Sequence, residues 1–132
     1  MSWVAGEMKN INLGDKRLNA RLQKLLGTLG NTPTLSIPAA CSGWHETKAA
    51  YRFFCNEKVT SEKILAPHIE STLHRMARQD VVLLLQDTTA LIFRGQKQRK
   101  DIGPVNNEHH LGLLLHPTIA VTPERLCLGV ID

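Results

Sequence analysis

Three cations fall on one side of a single predicted helix: Arg17, Arg21 and Lys24, spaced i, i+4 and i+7. Side chains at that spacing share a face. Each can neutralise a phosphate of a polyanion, and an arginine can also grip a guanine edge through two hydrogen bonds. Lys16 stands at the start of the same helix. A second cluster, Trp44, His45 and Lys48, opens another predicted helix, where a backbone phosphate can be held. Asp87 offers different chemistry. It follows the apolar run 81–86, so it sits at a predicted strand end, where a carboxylate can bind Mg²⁺ or Mn²⁺. Two such ions would activate the attacking oxygen and steady the leaving one in phosphodiester cleavage. Each feature has a plainer alternative. A cation stripe also suits a solvated helix face, and an aspartate followed by Thr88 and Thr89 also suits a turn. In Tyr51-Arg52-Phe53-Phe54 the aromatics could stack bases. Phe53 and Phe54 share a predicted face with Ala49 and Ala50, which favours core packing.

The elements that must position these groups follow from periodicity. Asp15 is a suitable N-cap for a helix over 16–29. Leu18, Leu22, Leu25, Leu26 and Leu29 make one apolar stripe beside the cations, and Gly30-Asn31 should end the helix. Pro38 fits the first turn of a short helix reaching Cys41. A helix over 44–55 follows. Another spans 60–78, with Ile64, Leu65, Ile69, Leu73 and Met76 inward and a break or kink at Pro67. The character changes at Asp80. The run 81–85 is continuously apolar, as in a strand covered on both faces. Two more strands, 111–121 and 126–131, flank the turn residues Thr122-Pro123-Glu124-Arg125 and form a predicted hairpin. The stretch 94–107 reads as a polar loop carrying the basic run Lys97-Gln98-Arg99-Lys100, and Asp101 and Glu108 there are poor partners for Asp87.

Composition bounds the answer. The chain has 132 residues with 42% apolar content, enough for a globular core. Charge is uneven: residues 1–79 hold 11 Lys+Arg against 6 Asp+Glu, while residues 80–132 hold 5 against 6. The basic surplus lies in the first part, as a polyanion-binding region requires. No run approaches a membrane span. The first residues lack the basic and apolar regions of a signal peptide, so a reducing cytoplasm is expected. Cys41, Cys55 and Cys127 are far apart, with no CxxC, which suggests neither a disulfide framework nor a zinc site. His109, His110 and His116 are too irregularly placed for a metal motif.

Residues 13–22 (LGDKRLNARL), 49–56 (AAYRFFCN), 59–64 (VTSEKI) and 86–89 (QDTT) together resemble the Tn5-like transposases of the IS4 group. The resemblance is clearest over residues 13–89. It implies an α+β protein in two parts: a helical transposon-end DNA-binding domain at 1–79, and at 80–132 the first three strands of an incomplete RNase H-like domain. It implies that Arg21 matches an arginine of the family's end-binding helix, with Lys16, Arg17 and Lys24 holding phosphates. It also implies that Asp87 is the first acid of a DDE triad using Mg²⁺ or Mn²⁺. The family's second Asp and Glu lie farther downstream, and the Tyr-Arg-Glu-Lys signature around that Glu is missing here. The chain alone is therefore expected to bind double-stranded DNA at transposon ends, without cleaving it and with no stably bound metal. Two alternatives stay open: a regulatory inhibitor mixing with a full-length transposase as a dimer or mixed oligomer, and a metal-dependent nuclease completed by another chain. Either would be cytoplasmic and associated with the bacterial nucleoid through DNA.

Overall fold

The computed structural model describes residues 2–95 and 99–132; Lys97 and Gln98 of the basic loop lie outside the described residues. The architecture is α+β, with helices first and antiparallel sheets after. It divides into two units, Met1–Ser71 and Thr72–Asp132.

The helical unit contains α1 (Trp3–Glu7), α2 (Lys16–Asn31), α3 (Ile37–Ala40), α4 (Trp44–Phe54) and the greater part of α5 (Ser61–Met76). The start of α2 is fixed by its own sequence. Gly14 takes φ +75, a left-handed conformation that glycine adopts without strain. Asp15 is then extended, and its carboxylate accepts the Arg17 N–H at 2.8 Å, as an N-cap should. Leu13 is fully buried, and its N–H donates to Asn19 Oδ1 at 2.9 Å. The Leu-Gly-Asp and Asn19 of this segment therefore serve the helix entrance. The leucine stripe packs as its spacing predicts, with Leu22 and Leu25 buried and Leu18 and Leu26 partly so. Val4, Met8, Cys41, Ala50 and Phe53 complete the core, each large side chain contributing about 1.5–3 kcal/mol.

Several expectations are corrected here. Helix α1 has no counterpart in the sequence reading. Helix α2 ends at Gly30-Asn31 as expected, with Asn31 its last residue and Thr32 its C-cap, and the Trp3 ring packs where a Cβ on Gly30 would lie. Phe54 is 45% exposed, so the 49/50/53/54 face buries Ala50 and Phe53 and leaves Phe54 at its edge, in T-shaped contact with Phe53. Helix α5 continues through Pro67, which is itself buried, while Leu65 and Leu73 are exposed.

The second unit begins inside α5, whereas the sequence divided the chain at 79/80. The reason is local. Thr72 is fully buried against Gly129, and Arg75 Nε donates to the Leu128 carbonyl at 2.6 Å. The last turns of α5 thus pack on the strand that carries those residues. Among the described residues the strands are β1 (Leu83–Gln86), β2 (Thr89–Ile92), β3 (Gly103–Val105), β4 (Asn107–Leu115), β5 (Thr118–Val121) and β6 (Cys127–Val130). They form two antiparallel sheets, ordered β1-β5-β6 and β2-β4-β3.

The hairpin of β5 and β6 forms as expected, closed by Thr122, whose N–H donates to the Leu126 carbonyl and whose hydroxyl accepts the Leu126 N–H. The single strand expected over 111–121 is two strands. It breaks at His116-Pro117, where proline lacks an N–H for the ladder and restricts the residue before it. The expected polar loop contains β3, and β2 was not foreseen. Strand β1 is also corrected: Val81, Leu83, Leu84 and Leu85 are 46–54% exposed, so this apolar run is uncovered on both faces. It lies at the edge of its sheet, with β5 as its sole partner strand among the described residues.

Candidate nucleic-acid interface

Helices α2 and α4 face each other across an open cleft of about 450 Å³. Arg17, Leu18 and Arg21 line it from α2; His45, Lys48, Ala49, Arg52 and Phe53 line it from α4, with Asn56 just beyond. The arrangement follows from two helical repeats. On α2, Arg17 and Arg21 are one turn apart. On α4, His45, Lys48 and Arg52 are spaced i, i+3 and i+7. Buried Leu22, Ala50 and Phe53 hold the two helices together beneath, so the floor is apolar and the rim cationic. The lining contains no carboxylate. Four permanent cations around one open cleft attract a polyanion and can each contact a phosphate.

The sequence-predicted residues divide on this geometry. Arg17, Arg21, His45 and Lys48 come together at the cleft. The Arg17 side chain is 94% exposed and points toward solvent, with Asp15 at 3.7 Å. Lys16, Lys24 and Trp44 are exposed and do not line the cleft; Trp44 is 71% exposed beside the Gly43 N-cap of α4. Arg52 belongs to the site, although the sequence reading treated it as one part of an aromatic cluster. Its spacing from Lys48 and His45 was the available signal.

Glu46 is the residue that sequence reasoning missed. It stands in the first turn of α4, and its two oxygens bind two of the α2 cations. Arg21 Nη1 donates to Oε2 at 2.9 Å, and Lys24 Nζ to Oε1 at 2.9 Å. The Lys24 hydrogen bond, followed by the charges of Lys24 and Arg21, holds the Glu46 carboxyl below the usual glutamate range. A hydrogen bond from the Arg17 N–H does the same for Asp15.

In the sheet unit Asp87 occupies a defined place. Gln86 pairs with Thr118 across β1 and β5, and Thr89 pairs with Leu115 across β2 and β4. Asp87 and Thr88 therefore lie where one strand passes between sheets, opposite His116 and Pro117, where its partner does likewise. Thr88 Oγ1 lies 2.6 Å from His116 Nδ1, and the Asp87 carboxylate accepts the Thr88 N–H at 2.9 Å. Asp87 is exposed. Among the described residues, no three His, Cys, Asp or Glu side chains converge as a metal site. The residues around Asp87 thus do not fit a two-metal centre by themselves. Asp101, expected to be a poor partner for Asp87, pairs with Arg99 at 2.6 Å, and Arg99 stacks on Phe93. Among the described residues no helix is long and apolar enough to cross a membrane.

Paired helices with a cationic cleft over a shared apolar floor define a polyanion-binding helical module. Residues 1–59 match the model of a family described as transposase DNA-binding, and every residue lining the cleft falls within that stretch. The match supports DNA binding by a transposase. No curated protein matches the chain.

Proposed function

We propose that the helical unit binds double-stranded DNA at transposon ends through the α2/α4 cleft, as part of a Tn5-like transposase of the IS4 group. The observation that carries this reading is the convergence of Arg17, Arg21, Lys48 and Arg52 on one carboxylate-free cleft inside the matched stretch. Arg17, Lys48 and Arg52 hold phosphates and set the register, and His45 adds a neutral or charged donor. Arg21, at the centre of the α2 face, is the base reader. Lys16, Lys24 and Trp44 flank the contact.

The sheet unit is the start of an RNase H-like domain, with Asp87 as the first acid of a DDE site that uses Mg²⁺ or Mn²⁺. Its exposed position between β1 and β2 supports this assignment, because a carboxylate there stays open to a ligand. The chain by itself binds DNA without cutting it, as a single domain copy or in a dimer or mixed oligomer with a full-length transposase.

The test is duplex binding across a salt series. Wild-type affinity should fall with log salt by about 0.9 per neutralised phosphate. The double substitution Lys48→Ala/Arg52→Ala should flatten that slope by up to about two phosphates. A folded protein that binds no duplex at low salt would sink the reading.

A further inference from the structure

Glu46 sits between the two helices of the proposed interface, yet it has the charge of the ligand. Its carboxylate occupies Arg21 Nη1 and Lys24 Nζ, both at 2.9 Å. Lys24 is turned away from the cleft, and Arg21 reaches the cleft with one end of its guanidinium engaged. A phosphate approaching α2 therefore meets two cations that share one internal anion, so about half of their charge is already offset. The pair is only part-buried, with Glu46 30% and Arg21 32% exposed, so solvent and ligand both reach it.

We propose that Glu46 is a specificity determinant of the DNA contact: its carboxylate stands in for phosphate and masks Arg21 and Lys24 against duplexes that offer only a backbone. The inference rests on the proposed DNA-binding reading. A backbone phosphate competes with an anion already held on the same two side chains, so its gain from those two cations is reduced. A duplex that also presents a base edge to Arg21 adds bidentate hydrogen bonds that the carboxylate cannot supply, and it displaces Glu46 at a profit. The acid thus weakens binding to arbitrary sequence more than binding to the cognate site.

Glu46 also lies in the first turn of α4, where a negative charge favours the helix N-terminus. A purely structural role would alter stability and leave the number of phosphate contacts unchanged. The salt slope separates the two roles.

The experiment measures binding of the whole chain to a random-sequence duplex over a salt series, for wild type, Glu46→Gln and Glu46→Asp. Circular dichroism confirms the fold of each. Glu46→Gln removes the charge and keeps the shape. It should bind the random duplex about three- to tenfold more tightly near 0.1 M salt, and the slope should steepen by about 0.9 to 1.8 as one or two further cations reach phosphates. Glu46→Asp keeps the first-turn charge and shortens the reach. It should show a smaller gain of the same sign, and it serves as the test if the glutamine variant does not fold. In Glu46→Gln/Arg21→Ala the gain should shrink. Unchanged or weaker binding by a folded variant, beside clear wild-type binding, overturns this inference and leaves the DNA-binding reading standing. Absence of binding by wild type and variants alike overturns both.

Discussion

Phe53 and Leu84 are both large apolar side chains in regular secondary structure, yet one is 2% exposed and the other 54%. Phe53 belongs to a unit whose helices surround a common centre. The apolar faces of α1, α2 and α4 bury Val4, Met8, Leu22, Leu25 and Ala50 against each other. Leu84 belongs to a three-stranded layer. The buried apolar residues of its unit are few, Val105, Ala120 and Leu128, while Leu83, Leu85, Leu91, Leu113, Leu114 and Leu115 are 40–64% exposed. The contrast shows why an apolar run in sequence is a weaker statement for a strand than for a helix. An amphipathic helix needs cover on one stripe, and its near neighbours in the chain supply it. A strand with apolar residues on both faces needs two covering layers.

The comparison can be broken in order of effect. Phe53→Ala should destabilise the helical unit by about 3–5 kcal/mol, read from denaturant unfolding followed by helical circular dichroism. Gly129→Ala should come next, at about 1–3 kcal/mol. Gly129 has φ +142, and a Cβ there would lie 2.1 Å from Thr72 Oγ1, so the joint between α5 and β6 must shift. A variant as stable as wild type would show that this joint is loose. Leu84→Thr should change stability by less than about 0.5 kcal/mol and reduce binding of a hydrophobic dye. A loss approaching that of Phe53→Ala would mean β1 is covered in solution, and the contrast between the units would fall.

The smallest effect concerns acid. The folded-state pKa values of Glu46 and Asp15 are depressed, so their stabilisation is present above the unfolded values and is lost as pH falls through the folded ones. The melting temperature should therefore decline on acidification below the ordinary carboxylate range. Glu46→Gln should blunt that decline, and an identical decline in the variant would show that the Glu46 pair contributes nothing to stability.

What was legible in the sequence is what depends on near neighbours. Asp15 as a cap, the leucine stripe, the shared face of Arg17 and Arg21, and the hairpin turn at Thr122 all rest on contacts within a few residues. The engagement of Arg21 by Glu46 was not legible, because it joins helices 25 positions apart in the chain. Gly30-Asn31 marked the end of α2, whereas the packing of the Trp3 ring beside Gly30 was not legible, because it joins positions far apart in the chain. Pro117 carries the signal that 111–121 is not one ladder strand, since proline has no N–H for the ladder. The exposure of β1 was hidden because the pattern states what a strand requires and carries no record of whether the requirement is met.

The pairing of β1 with β5 has a kinetic consequence. Leu83 must wait for Val121, with β2, β3 and β4 intervening, before its ladder can close. In the helical unit the Arg21–Glu46 pair spans 25 positions, a shorter loop than that from Leu83 to Val121. The shorter closure should form first: the α2/α4 cleft should assemble before the β1/β5 ladder on a nascent chain. During that interval β1 is an unpaired apolar segment that follows an already formed cleft in the chain. The window in which the chain is most vulnerable to self-association is thus set by the distance, along the polypeptide, between two strands of one sheet.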